Sequence, residues 1–211
     1  MKVKKMKTYD ITRSITKDTK EYPGNKKYFF KSLMDINEGA PLNVNSFKMS
    51  MHLGTHIDGT KHFKSDGMCV GKIPIEKVMG KCQVIELEQK FNYLYLPKDI
   101  KVDIKFNKVL FKTNTFFDLE NWNQDFSGIS PELIKYLGQK KVVLIGIDTP
   151  GLDLIDSQDF LSHKEAAKYD IVSLENLDLK KINAGNYNLI ALPLKFEEAE
   201  ASLVRAILTI E

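Results

Sequence analysis

The stretch that most constrains the fold lies between Ser130 and Ile147. Ser130-Pro131-Glu132 supplies an N-cap, a proline at the first helical position and an acid in the first turn. Leu133, Ile134 and Leu137 then form an apolar stripe at helical spacing, ending at Gly138. Residues 142–147 are an uninterrupted apolar run between Lys141 and Asp148, the pattern of a short strand buried on both faces. A helix feeding such a strand predicts an α/β fold. The loop that leaves it, Asp148-Thr149-Pro150-Gly151, occupies the carboxyl end of the strand, where open α/β sheets tend to build sites.

The rest of the chain reads as β-rich. Residues 8–16, 27–36, 82–87, 109–113, 171–174, 187–194 and 203–210 carry strand-like patterns, residues 73–79 a short helical turn, and Ser162 an N-cap for a second helix reaching Lys168. Over residues 44–51, Phe47, Met49 and Met51 alternate with Ser46, Lys48 and Ser50, which predicts a half-buried strand with His52 at its end on the polar face. Tyr22-Pro23-Gly24-Asn25 is a turn. Residues 114–128, a long polar run holding the only tryptophan, Trp122, form a candidate lid or pocket wall. Glu197, Glu198 and Glu200 read as a solvated connection. With no linker composition anywhere, residues 1–211 are expected to form one domain.

Charge and cysteine content narrow the partners. The 31 basic and 28 acidic residues leave a net charge of only +3, so nothing favours nucleic acid. Lys2, Lys4, Lys5 and Lys7 precede no apolar segment, which predicts a frayed, solvated end in place of a signal peptide or membrane anchor. No apolar run approaches the roughly 18 to 20 residues that span a bilayer. Cys69 and Cys82 form neither a C-x-x-C pair nor a disulfide framework, and a cytoplasmic location is expected.

The chemistry concentrates in His52-Leu-Gly-Thr-His56-Ile-Asp58-Gly-Thr-Lys-His62, which holds three of the four histidines and a carboxylate. A lone histidine is more often structural than functional. A cluster of neutral imidazoles with a carboxylate is instead what zinc, manganese or iron(II) prefers, and catalytic sites leave one position open for water. The spacing is not the helical H-E-x-x-H pattern, because no Glu follows His52 and Gly54 permits a turn. If the chain is extended through His56-Ile57-Asp58, His56 and Asp58 point the same way, with Cα atoms about 6 to 7 Å apart. The motif reads as half of a metal site.

Taken with His163, Glu175 and the last stretch of the chain, the sequence resembles the metal-dependent cyclase family, whose best-known members are the bacterial kynurenine formamidases. The family signature H-x-G-T-H-x-D-x-P-x-H appears here as H-L-G-T-H-I-D-G-T-K-H. Similar stretches at residues 22–25, 146–150, 189–194 and 204–208 extend the resemblance over nearly the whole chain. One departure falls inside the signature: Thr60 stands at the family's proline, which loosens the backbone restriction and removes no ligand.

The resemblance implies a compact α/β unit with a β-barrel-like mixed-sheet core and a few flanking helices. It implies that His52, His56 and Asp58 bind one divalent metal, that Asp58 also reaches a second, that His163 binds the second, and that Glu175 contacts both. Zinc fits these ligands best, and the same set accepts manganese. His62 corresponds to the residue that moves protons, and Tyr22 to a tryptophan that formamidases place against the substrate. The implied reaction is hydrolysis of a small molecule, N-formylkynurenine, to kynurenine and formate, a step of tryptophan catabolism. A sister hydrolase opening a cyclic amide or ester such as isatin or a lactone is the alternative. A non-catalytic protein with a structural metal is a further one, although closed structural sites favour thiolates and fill every position. Family members are usually dimers or higher oligomers in which the partner contributes to the pocket, so a homodimer or higher homo-oligomer is expected, with no nucleic acid or membrane partner.

Overall fold

A strand that is apolar on both faces needs a neighbour on each side and a layer over each face. The computed structural model, which describes residues 6–210, provides both. In chain order the strands are β1 (Lys7–Asp10), β2 (Phe29–Met34), β3 (Val44–Lys48), β4 (His56–Asp58), β5 (Met79–Glu86), β6 (Leu94–Tyr95), β7 (Lys108–Lys112), β8 (Gly128–Ile129), β9 (Leu144–Ile147), β10 (Val172–Glu175), β11 (Gly185–Ile190), β12 (Ala201–Leu203) and β13 (Ile207–Ile210). The α-helices are α1 (Ile75–Val78), α2 (Pro131–Gln139) and α3 (Leu161–Lys168).

Nine strands form one mixed sheet in the order β1-β13-β11-β5-β7-β9-β10-β4-β12. Its centre, β5-β7-β9-β10, is parallel, and the flanks are antiparallel. The period of two sorts the side chains into two cores. Leu110, Leu144, Val172 and Leu174 join Ile57, Cys82, Leu189 and Leu208 on one face, whereas Val109, Phe111, Ile145 and Ile147 meet Leu133, Ile134 and Leu137 of α2 on the other. Gly146 lies where an added Cβ would sit 2.2 Å from Leu110 Cδ2, so the first face closes only over a glycine.

The sheet is curled into a half-barrel, and the last two strands show why it must be. β12 lies at one edge while β13 lies beside the opposite edge strand, yet only Val204, Arg205 and Ala206 separate them. In a flat sheet those positions would stand roughly 30 Å apart at about 4.8 Å per strand. The connecting residues reach only about 14 Å when fully extended. Closure is visible in Ile11, whose N–H donates to the Ala206 carbonyl at 3.0 Å, and in Val204, whose N–H donates to the Thr55 carbonyl at 3.2 Å.

Several expectations hold and several need correction. Ser130 Oγ accepts the Leu133 N–H at 3.1 Å, so the predicted cap exists, and Leu133, Ile134 and Leu137 are buried. Gly138 lies inside α2 and makes room for the Tyr169 ring. The single strand expected over residues 203–210 is instead β12 and β13 on opposite flanks. The strand carrying Phe47 is not half-buried: among the described residues β2 and β3 pair only with each other and no layer covers either face, and Phe29, Phe30 and Phe47 are all exposed. β3 also ends at Lys48, so His52 follows a turn and does not terminate the strand. Lys2, Lys4 and Lys5 lie outside the described residues, and Lys7 begins β1. Among the described residues no helix is long and apolar enough to cross a membrane.

Candidate metal centre and active site

The site is built where the outer face of the sheet turns polar. β4 pairs antiparallel with β10 so that His56 stands opposite Glu175 and Asp58 opposite Ser173. Because residues two apart share a face, His56, Asp58, Ser173 and Glu175 all project to the side opposite Ile57 and Leu174. His56 Nε2 lies 3.4 Å from Glu175 Oε2 and 3.5 Å from Asp58 Oδ1, and Ser173 Oγ donates to Asp58 Oδ2 at 3.3 Å. The ring of His56 is held from behind by Nδ1, 2.9 Å from the Gly54 carbonyl oxygen, and Gly54 takes a φ of +72° that favours glycine.

The other histidines close around this strip. His52 brings Nδ1 to 3.1 Å from Asp58 Oδ1, while its Nε2 lies 3.3 Å from Glu200 Oε1. Glu200 is therefore not merely part of a solvated connection, a role that only tertiary contact discloses. His163, in the first turn of α3, places Nε2 2.9 Å from Glu175 Oε1. His62 sits in the short 3-10 turn Thr60–His62, its ring centroid 4.2 Å from that of His52 and 6.3 Å from that of His163. Thr60, in place of the expected proline, brings a contact of its own to the turn: its Oγ1 accepts the Met68 N–H at 2.8 Å.

The described residues thus contain two groups of potential ligands, His52-His56-Asp58 and Asp58-His163-Glu175, each with donor atoms within 4.8 Å of one another. His62 belongs to neither. His56 Nε2 and Asp58 Oδ1 are buried atoms with close neighbours but no aligned hydrogen bond. Two orphaned ligand atoms facing the same point, in a set of imidazoles and carboxylates, fit a divalent cation.

The electrostatics agree. Burial opposes a charge on His52 and His163, but the carboxylates outweigh it: Asp58 leads in raising His52 to about 9, and Glu175 with Asp153 raises His163 to about 10. Burial would likewise push Asp58 and Glu175 up, and the adjoining imidazoles hold both below the usual carboxylate range. The chain gathers enough negative charge here to retain two protons where a cation could stand. His62 behaves differently: burial, reinforced by His52 and His163, keeps it below the ordinary imidazole value against the pull of Asp58.

Above these groups lies a pocket of about 370 Å³ walled by Tyr22, Trp122, Phe63 and Phe160. Tyr22 meets Trp122 edge to face at 6.1 Å, and burial raises its phenol to about 12. The turn at residues 22–25 forms as expected, with Asn25 N–H donating to the Tyr22 carbonyl at 2.9 Å. Trp122 is seated by Phe116 and Phe126, and Arg13 donates to the carbonyls of Phe117 and Asp148; residues 114–128 contribute Trp122 to the pocket wall. Phe63, Phe160 and Asp153 were not singled out from the sequence, and Glu200 was read only as part of a solvated connection. Phe63 alone carried a local signal, its position next to His62.

This arrangement can be set beside known proteins. The family model named Cyclase matches residues 9–154. The chain belongs to the cyclase family. It is 35% identical over 202 residues to the kynurenine formamidase of Bordetella petrii, covering 95% of this chain and 96% of that protein. It is 34% identical over 203 residues to the kynurenine formamidase of Bordetella pertussis, with 95% and 96% covered. A solved structure described as a potential metal-dependent hydrolase with cyclase activity superposes with a TM-score of 0.85 at 27% identity, covering 98% of this chain and 99% of that one. An isatin hydrolase shares the fold, with a TM-score of 0.81 at 22% identity over 97% of this chain and 92% of that one.

Proposed function

We propose that this protein is a metal-dependent amidohydrolase that cleaves the formamide of N-formylkynurenine, giving kynurenine and formate. The observation that carries the reading is the meeting of two ligand groups, drawn from β4, β10, α3 and the turn before β4, at the floor of an aromatic-walled pocket. The covering relatives named kynurenine formamidase support the substrate. In this reading His52, His56 and Asp58 hold one cation, and Asp58, His163 and Glu175 hold a second. Zinc suits this set and manganese is accepted by it. When bound, such cations act as Lewis acids that acidify a water and polarise a carbonyl oxygen.

The chain's own residues supply the rest. Tyr22, Trp122, Phe63 and Phe160 enclose the aryl ring and exclude water. His62, outside both ligand groups and held neutral, accepts the proton of the attacking water and returns it to the departing aniline nitrogen. The carbon–nitrogen bond breaks, formate takes the water oxygen, and the amine leaves neutral.

The partner in this reading is a second copy. Phe29, Phe30, Leu33, Met34 and Phe47 make the β2–β3 hairpin apolar and exposed on a scale unusual for a monomer. The hairpin runs on directly from the pocket turn at residues 22–25 and returns the chain to His52, so a copy seated there would border the pocket. The resemblance to a family of oligomers supports a second copy as the occupant.

Assaying N-formylkynurenine, a simple aryl formamide and isatin side by side, with purified metal-loaded protein, tests the reading. Turnover of the formamides is expected, with N-formylkynurenine preferred. Turnover of isatin alone would transfer the protein to the cyclic-amide hydrolases, and turnover of none would remove the formamidase reading.

A further inference from the structure

Helix α3 has an unusual beginning. Its N-cap position is Phe160, in the left-handed region at φ +49°, with a side chain that cannot cap. The expected cap, Ser162, lies inside the first turn. The missing acceptor comes from Asp153, on the loop that leaves β9: its Oδ1 accepts the Ser162 N–H at 2.9 Å and its Oδ2 the His163 N–H at 3.2 Å. The same Oδ2 lies 2.5 Å from His163 Nδ1. His163 Nε2 is left facing Glu175.

We propose that Asp153 is a positioning residue for the Asp58-His163-Glu175 group, fixing through Nδ1 which nitrogen of His163 is offered to a cation. Three features argue for this over a ligand or a purely structural role. Asp153 is absent from both ligand groups, because its oxygens lie behind the imidazole and not in front of it. A carboxylate accepting Nδ1–H leaves the lone pair on Nε2 and makes it a better donor, as second-shell carboxylates of metal-bound histidines do. The contact is sheltered, since both side chains are less than a tenth exposed and Phe63 stacks on a face of the His163 ring at 4.4 Å. One carboxylate thereby starts the helix and aims the ligand it carries.

The proposal rests on the metal-dependent reading above. Titration calorimetry of metal-free protein with zinc, on wild type, Asp153→Asn, Asp153→Ala and His163→Ala, separates the two. An amide keeps one oxygen, which can still accept the Ser162 N–H, but loses the charge and the second acceptor that faces His163. Asp153→Asn is expected to bind one zinc equivalent as wild type does and to bind the other about 10- to 100-fold more weakly. The weakened equivalent should be the one that His163→Ala loses, while the melting temperature of metal-free Asp153→Asn stays above that of Asp153→Ala. Wild-type affinity for both equivalents would overturn the proposal. So would equal weakening of both, accompanied by a drop in metal-free stability as large as that of Asp153→Ala, because that is the signature of a cap alone. Failure of the wild-type protein to bind zinc would overturn the metal reading itself.

Discussion

Glu175 stands directly opposite His56 across the β10–β4 pair, with Oε2 3.4 Å from Nε2, and this register brings the two halves of the site together. The short strand β4 carries His56 and Asp58 on one face, and β10 ends on the carboxylate that meets them. Both strands are fully buried, so the pairing geometry is held by the sheet and not by the side chains themselves.

Glu175→Gln preserves this shape and removes one carboxylate charge from the Asp58-His163-Glu175 group. Metal content measured on purified protein by plasma mass spectrometry should fall by at least one equivalent relative to wild type, with activity lost in parallel. An undiminished metal content would show that Glu175 is not a ligand.

His62→Ala should separate proton transfer from metal binding. Metal content is expected to match wild type while kcat falls by something like 10² to 10⁴. Since burial lowers the His62 pKa, its base form persists to lower pH than a free imidazole. The acid limb of the wild-type kcat/KM profile should therefore lie below about 6.5. That limb should be missing from the residual activity of the variant, and loss of a metal equivalent would make His62 a ligand.

Chelation should leave a folded protein whose stability depends on pH. His52 and His163 are raised to about 9 and about 10, so their favourable charges against the carboxylates contribute fully below the unfolded imidazole value of about 6.5. That contribution is lost progressively as pH rises from about 6.5 through the folded values of about 9 and about 10. Thermal melts of chelated protein should fall in Tm over this range, and melts of the zinc-loaded protein should fall less. Complete unfolding on chelation at neutral pH would favour a structural metal.

Phe30 and Phe47 face each other in register on the exposed hairpin. Replacing them together by Lys and Glu should shift the protein to a monomer in light scattering coupled to gel filtration, leave its circular dichroism unchanged and raise KM. A wild-type monomer at micromolar concentration would remove the role assigned to this surface.

What was legible beforehand follows from how local each signal is. Capping of α2 by Ser130 and the burial of Leu144–Ile147 depend on neighbours a few residues away, and both appear as read. Alternation around Phe47 was correctly read as a strand, but periodicity records which side chains share a face and not whether anything covers that face. Glu200 lay in an acidic run that looked like solvent-facing linker. Its contact with His52 requires β12 to lie against β4, a consequence of sheet order. The capping role expected of Ser162 went instead to Asp153, which no local rule could choose because it reaches α3 from a separate loop.

By itself, the sequence determined the ligand chemistry and the local elements: three histidines and a carboxylate at fixed spacing, a capped helix, and a strand apolar on both faces. Tertiary structure alone decided which groups meet. The curl that lets three residues join opposite flanks of the sheet, and the register that sets Glu175 against His56, arise from packing between distant segments. Such packing is selected by the free energy of the whole core and not by the preferences of any one stretch.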